Sequence, residues 1–389
     1  MSTNANHILI VFHDLAAGGT EMIALKLAQR WARSGRRVTL LCGTLDGPLL
    51  ARIPAEIQVV TFNPEIGRSL FSRLKMKREL PKWIDRINPD VIFLPGNFHL
   101  ILAGAAAKSR SKPIVIAKIS NPIGPGSSVI IRRLGNYAFG RAARHADWLV
   151  AMSSGLLSEA KRATKSDKIS VIFDPNIDGD ARVAPRPKRT GPNAVIRLLA
   201  AGRLVAQKDF ALALRVTAAL AATHDVHLTI LGDGPKRKQL SRLAKRLGIA
   251  DKVSMPGHVP SITPALRAAD ILLVTSQYEG GPAVAVEALE QSVPVVATDC
   301  SHFLRDLLHD PAFGTIVPSR SANVIADAVV ALTRTSAETE FLSKDAIYAY
   351  RTDVAAAAYL RLFDQLISAK RDGLAIHDSM FGSDSGLID

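Results

Sequence analysis

The stretch "AADILLVTSQYEGGPAVAVEALEQSVPVVATD", residues 268–299, carries the reading of the fold. "ILLVTS" is a short apolar run rich in β-branched residues and reads as a strand buried on both faces. "PVVAT" reads the same way. Between them "AVAVEALE" reads as a helix, with Gly280, Gly281 and Pro282 as the punctuation at its start and the proline suited to a first helical turn. Strand, helix and strand in so short a span make a βαβ unit, whose strands are parallel. Glu279 then sits at the carboxyl end of a strand, and Glu287 lies in the helix that follows. The crevice outside the carboxyl ends of the strands is where open α/β sheets bind ligands. The competing reading is a plain loop with an acidic residue before a helix and a solvated helix glutamate.

The same alternation runs along the chain. Strands are expected near "HILIVF", "RVTLLC", "DVIFL", "PIVIAK", "DWLVAM" and "ISVI" in the first half, with helices such as "GTEMIALKLAQRWARSG" between them. "DARVAPRPKRTGPN", residues 180–193, has proline and basic residues but no apolar period, so it is the expected linker. The alternation then restarts at "AVIRLLAAG" and continues to "GTIVP". The fold class is therefore α/β, with two doubly wound parallel-sheet (Rossmann-like) domains facing a central cleft. The expected boundaries are 1–180 for the N-terminal Rossmann-like domain, 181–193 for the linker and 194–345 for the C-terminal one. A terminal helix over 346–370 and a flexible tail over 371–389 complete the chain.

Composition narrows the class. A chain of 389 residues is long for one core. No apolar run is long enough to span a bilayer, and the polar leader "MSTNANHILIVF" lacks a basic n-region. Two cysteines, Cys42 and Cys300, give no disulfide framework, so a reducing cytoplasm is expected. The net charge of +14 is uneven: residues 1–180 hold 25 Lys/Arg against 14 Asp/Glu, leaving +3 for the rest. A basic front half suits an anionic partner or simply a soluble surface.

At this point the residues resemble a known family. "AAGRLVAQKDF" is similar to a strand followed by G-R-L-x-x-x-K, here Gly202, Arg203, Leu204 and Lys208. "LTILGDGPKRKQLSRLAKRLGIADKVSMPGHV" resembles a G-x-G-P turn, helix and G-x-V segment containing Gly232 and Val259. "YEGGPAVAVEALE" resembles an E-x7-E region with Glu279 and Glu287, and "KISVIFDPNID" the close of the first domain. In this order and spacing they resemble the family-4 retaining glycosyltransferases of the GT-B fold, which implies that 1–180 is the acceptor-side domain, that 194–345 is the nucleotide-sugar-binding domain and that the C-terminal helix returns to the first domain. The resemblance implies catalytic roles for Glu279, Arg203 and Lys208. It implies donor binding by Gly18, Gly19, Arg203, Lys208, Gly232, Val259, Gly280, Gly281 and Glu287.

The residue chemistry agrees. A departing nucleoside diphosphate needs its growing charge met by fixed donors, and Arg203 and Lys208 supply cations. The "GGPAV" turn offers backbone N–H groups and a helix's positive end. Glu287 can accept from ribose hydroxyls, and Glu279 from the sugar. "HDLAAGGTEM" resembles the family's Gly-rich loop. Where many members carry a histidine, this chain reads "IAKISNPIG", with Lys118, Ser120 and Asn121. His99, Ser120 and Asn121 are the acceptor-side candidates, with His13 also near a strand end. Asp178 and Asp180 mimic a D-x-D metal motif but fall at the linker, so no metal is expected. Ser153 and Ser154 read as a helix N-cap rather than a nucleophile elbow.

The expected function is metal-independent transfer of a hexose or N-acetylhexosamine, with retention, from a nucleotide-diphosphate donor. The acceptor would be a glycan or lipid-linked molecule of cell-surface polysaccharide or glycolipid synthesis. No cofactor is expected beyond the nucleotide-sugar substrate. A nucleotide-sugar epimerase of the same fold and a catalytically silent nucleotide-binding subunit are the alternatives. Nucleic acid is not an expected partner, because aromatics make up only 5% of the chain and no stacking platform is visible. "GRSLFSRLKMKRELPKWIDRI", residues 67–87, is a candidate for resting on an anionic membrane surface, which would make the cytoplasmic enzyme peripheral. The competing reading places Leu80, Trp83, Ile84 and Ile87 in the core, with Pro81 kinking the helix or starting a second.

Overall fold

A computed structural model describes residues 4–16, 18–123, 129–178, 194–335 and 345–373. The chain divides into two compact units. Unit 1 is Met1–Pro175 with Thr352–Asp389, and unit 2 is Asn176–Arg351. The chain therefore crosses at Pro175–Asn176 and returns at Arg351–Thr352. The expected linker 181–193, Asp180 and the tail beyond 373 lie outside the described residues.

Unit 1 is built on a seven-stranded parallel sheet. Its strands are β1 (His7–Phe12), β2 (Arg37–Cys42), β3 (Gln58–Thr61), β4 (Val91–Leu94), β5 (Ile114–Ile119), β6 (Trp148–Ala151) and β7 (Ile169–Val171). They lie in the order β3-β2-β1-β4-β5-β6-β7. Every residue of β1, β4, β5 and β6 is buried, as continuous apolar runs require when helices cover both faces. β3 is absent from the expected strands. It is a short, partly exposed edge strand, so it needs no apolar run to announce it.

The C-terminal helix Thr352–Arg371 belongs to unit 1, as expected from sequence. Trp31, on the helix Gly19–Arg33, meets Phe93 of β4, Tyr359 and Phe363 at ring distances of 5.4, 5.8 and 5.2 Å. Its indole N–H donates to the Ala356 carbonyl at 3.2 Å. The return starts at Thr352; a separate short helix, Asp345–Tyr348, precedes it in unit 2.

Of the residues that the core reading named in 67–87, Leu80 and Ile84 are buried and Trp83 and Ile87 half-buried. Ser72–Ile87 is one helix with Pro81 inside it, so Pro81 does not start a second. Met76, Leu80 and Ile84, four residues apart, form its buried stripe. Leu70, Phe71 and Leu74, at its amino end, are 97%, 67% and 66% exposed.

Unit 2 carries a six-stranded parallel sheet: β8 (Ile196–Ala201), β9 (Val226–Leu231), β10 (Val253–Gly257), β11 (Ile271–Val274), β12 (Val295–Thr298) and β13 (Gly314–Val317). Their order is β10-β9-β8-β11-β12-β13. Pro256 falls in the edge strand β10, where a missing N–H is tolerated, and the register shifts there. In each sheet the winding reverses once, between β1 and β4 and between β8 and β11. Successive connections leave these neighbours toward opposite faces, and the crevice at their carboxyl ends is the place for a ligand. No described helix is long and apolar enough to cross a membrane. Cys42 and Cys300 are buried and free.

Candidate active site

In unit 2 the loops after β8 and β11 converge. The chain leaves β8 at Gly202, whose φ of +146° suits glycine. A Cβ on Gly232, after β9, would run into the Gly202 carbonyl. Leu204 N donates to Asp233 O at 2.9 Å and Lys236 N to Leu204 O at 3.0 Å, so the G-R-L and G-x-G-P loops are sewn together. Both glycines thus serve the approach of one loop to another.

A single 3-10 turn, Ala206–Lys208, then delivers Lys208. Its Nζ lies 2.5 Å from Glu279 Oε1, and Ser276 Oγ donates to the same oxygen at 2.6 Å. Glu279 is 8% exposed, so its charge is held by specific partners rather than by bulk water. Among the described residues no hydrogen bond reaches Oε2, which leaves that oxygen for another donor. The pairing is fixed by the backbone around it. Thr275 Oγ1 donates to Lys208 O at 3.1 Å, and Gln277 N to Gln207 O at 2.8 Å. Arg320, after β13, donates to the Thr275 and Ser276 carbonyls, each at 2.9 Å, and to Asp209 Oδ2 at 2.7 Å. Thr298 Oγ1 adds a bond to Ser276 O at 2.7 Å.

The glycine turn follows. Gly280 O accepts from Ser301 Oγ at 2.8 Å, which fixes the turn to the loop after β12. Pro282 is the N-cap of the helix Ala283–Glu290 and offers no side-chain acceptor to its first N–H groups. That helix buries Ala285, Val286, Ala288 and Leu289, leaving Glu287 half-buried. Arg203 is exposed and forms no ion pair among the described residues, and Val259 is half-buried in the loop after β10. The structure thus brings Lys208 and Glu279 into contact, while Arg203 stands exposed on the loop after β8 and Glu287 lies half-buried on the helix Ala283–Glu290.

Unit 1 builds a second polar group at its own reversal point. His13 and Asp14 follow β1. His13 Nδ1 lies 3.3 Å from Asp14 Oδ2, and the Arg68 guanidinium grips both Asp14 oxygens, with Nη2 to Oδ1 at 3.0 Å. That grip is the main reason the Asp14 carboxyl is held down to about 2. Gly18 is the N-cap of the helix Gly19–Arg33, and a Cβ there would collide with the Glu21 carboxylate folded over it. Burial raises the Glu21 carboxyl above its ordinary pKa.

After β4, Asn97 Oδ1 accepts from Ser120 N at 2.8 Å and its amide donates to Asn121 O at 2.8 Å. This ties the two acceptor-side candidates to the β4 loop; Ser120 is buried and Asn121 exposed. His99 is only 2% exposed and neither ring nitrogen has a partner, so burial pushes its pKa down to about 3 and keeps it neutral. Lys118 is 1% exposed and pairs with Asp174 at 2.5 Å, so it lies within the unit's interior. Ser153 caps the helix Ser154–Thr164, accepting from Leu156 N at 3.2 Å. The described residues hold no group of three or more His, Cys, Asp or Glu placed for a metal ion.

Sequence reading missed Asp14, Arg68, Asn97, Ser276 and Arg320. Asp14, Asn97 and Ser276 each sit just past a strand at a reversal point, a signal available once strand order is known. Arg68 and Arg320 come from loops distant in sequence and carry no local signal.

Residues 186–347 match the family Glycosyl transferases group 1, and residues 17–174 match Glycosyltransferase Family 4. The chain belongs to the family-4 glycosyltransferases of the GT-B fold. Among relatives of this glycosyltransferase is a lipopolysaccharide 1,6-galactosyltransferase of Salmonella typhimurium, 24% identical over 260 residues, covering 65% of this chain and 68% of that protein. The solved apo form of lipopolysaccharide outer core galactosyltransferase WaaB is 20% identical and has a TM-score of 0.67, with 97% of this chain and 99% of that one covered. Anabaena HepE, solved in complex with UDP-glucose, is 17% identical at a TM-score of 0.66, with 95% and 100% covered. These two likenesses bear on the fold.

Proposed function

We propose that this glycosyltransferase is retaining and metal-independent, and moves a hexose or N-acetylhexosamine from a nucleotide-diphosphate donor to a glycan or lipid-linked acceptor of cell-surface synthesis. The observation that carries the reading is the Lys208–Glu279 pair at the carboxyl ends of β8 and β11, beside an uncapped helix start. Lys208 turns to the donor's diphosphate, joined by exposed Arg203 and the N–H groups of the Gly280–Gly281 turn. Glu279 keeps Oε2 for a sugar hydroxyl, and Glu287 accepts from the ribose. Gly18 and Gly19 let backbone come close to the donor.

The acceptor oxygen bonds to the anomeric carbon on the face from which diphosphate leaves. The carbon–phosphate oxygen bond breaks, and the acceptor's proton passes to the departing phosphate oxygen. No side chain of the enzyme forms a covalent intermediate. The charge growing on the diphosphate is what Lys208 and Arg203 stabilise, and stabilisation confined to the transition state raises kcat. The lipopolysaccharide relative supports a surface-glycan acceptor, and the HepE complex makes UDP-sugars the first donors to test.

The exposed Leu70, Phe71 and Leu74, surrounded by Arg68, Arg73, Lys75 and Arg78, support a peripheral position on an anionic membrane from the cytoplasmic side. Calorimetry across UDP- and GDP-sugars, followed by turnover in EDTA, tests the donor and the metal. Failure of every donor to bind, or activity lost in EDTA and restored by metal, overturns the reading.

A further inference from the structure

Two recesses in unit 1 flank the helix Ser72–Ile87 and meet at Lys77 and Ile101. The first, about 620 Å³, is lined by His13, Arg68, Arg73, Lys77 and Phe98, with Leu70 and Leu74 on the same wall. The second, about 450 Å³, has Lys77, Lys108, Arg141 and His145 around Gly104 and Ala105. Among the described residues no acidic one lines either recess.

Their charge is unbalanced. Asp14 offsets Arg68, but among the described residues no carboxylate pairs with Arg73, Lys77, Lys108 or Arg141. Arg73 is held in place by the Phe98 ring, 4.4 Å below its guanidinium. A Cβ on Gly104 would come within 3.0 Å of the His145 ring, so glycine there leaves the imidazole its room. At the other end His13 is buried, and its Nε2 has no partner. Cations gathered in concave walls repel one another, and an anion placed between them relieves that cost.

The shape separates a chain from a membrane. Apolar Leu70 and Phe71 are 97% and 67% exposed, whereas Lys108 and Arg141 line a hollow that neither of these residues borders, a concave site that a flat bilayer surface fits poorly. Each hollow has the size of a small-molecule pocket, and the two in succession suit an extended ligand. We propose that the joined recesses bind an acidic oligosaccharide, a sugar chain bearing carboxylate or phosphate groups, as the acceptor of transfer. Its anionic groups lie along Arg73, Lys77, Lys108 and Arg141, and its reacting end lies by His13. The inference rests on the glycosyltransferase reading above and gives it a substrate class.

Titration calorimetry on the full chain tests it with four probes: hexa-galacturonate, a phosphorylated oligosaccharide of similar length, neutral maltohexaose, and UDP or GDP as the marker of the donor site. One or both acidic probes should bind, more weakly as salt rises, and which one binds identifies carboxylate or phosphate as the recognised group. Lys77→Glu and Arg141→Glu should each weaken that binding at least tenfold with nucleotide affinity unchanged. Lys238→Glu, an exposed charge reversal in unit 2, should leave both unchanged. Equal binding of maltohexaose, no binding of either acidic probe, wild-type affinity in both track variants, or equal weakening by Lys238→Glu overturns the proposal. So does the finding that only anionic vesicles bind and that the two track variants abolish this. Loss of nucleotide binding alone would instead count against the donor site, so the two failures are distinguishable.

Discussion

At the scale of single residues, the Lys208–Glu279 contact carries the sharpest expectations. Lys208→Ala removes the charge-assisted phosphate contact proposed for it and strands a buried carboxylate with Ser276 alone. Nucleoside diphosphate binding should weaken by about 1.5–3 kcal/mol. Arg203→Ala should act in the same direction; unchanged affinity in both variants would show that the phosphate lies elsewhere. Glu279→Gln should lower kcat more than it changes donor KM, and Glu287→Gln should do the reverse. Full activity in both variants on every accepted donor would reduce the E-x7-E stretch to a loop. His99 gives a test by pH. Burial lowers its pKa from 6.5 to about 3, so the unfolded chain takes up a proton below pH 6.5 that the folded chain refuses until about pH 3. The unfolded state binds more protons throughout that window, and stability therefore falls as pH drops through it, by up to ~1.4 kcal/mol per unit. His7, lowered to about 4 mainly by burial, adds its own share. Denaturant melts of His99→Phe between pH 6 and 4 should show an acid slope shallower by about one proton; an unchanged slope would mean that His99 is not buried neutral.

At the scale of elements, the helix Ser72–Ile87 and the residues just before it show a buried stripe and an exposed end. The stripe of Met76, Leu80 and Ile84 closes the core, whereas Leu70, Phe71 and Leu74 are left in solvent. Leu80→Ala should therefore destabilise the protein by roughly 2–5 kcal/mol. Leu70→Ser with Phe71→Ser should leave the melting temperature nearly unchanged and abolish flotation with anionic vesicles. Charge reversal at Lys75 and Arg78 should weaken flotation as added salt does. No vesicle binding by the wild type at low salt would leave the exposed residues without a membrane role. The strand β3 makes a related point: at an edge with one partner, "QVVT" is short and half-exposed, so no apolar run marked it in the sequence. The buried strands were legible because helices on both faces demand unbroken apolar runs.

At the scale of the whole molecule, unit 1 is made from both ends of the chain. Trp31, Phe93, Tyr359 and Phe363 form one aromatic cluster, so the last helix contributes to the core begun by the first strand. Arg36 and Asp364 reinforce it with an ion pair at 2.7 Å. Phe363→Ala should cost unit 1 roughly 3–5 kcal/mol, while unit 2 keeps its own core and its donor loops. Scanning calorimetry should then show a lowered transition for unit 1, and a nucleotide should still raise the transition of unit 2. A uniform fall of both would show that the units unfold as one.

By itself the sequence determined the two parallel α/β arrays, the helix that follows the last strand and the order of the motifs in the second half. These depend on local periodicity and on glycine, proline and capping residues whose preferences act over a few neighbours. Only the tertiary structure decided which side chains meet. Lys208 and Glu279 are 71 residues apart, and Arg320 reaches Asp209 across 111, because strand order rather than chain order makes β8, β11 and β13 deliver their loops to one end of a sheet. The same holds for Arg68 on Asp14 and for the partnerless nitrogens of His99. Burial and long-range contact are properties of the packed chain, and no window of neighbouring residues contains them.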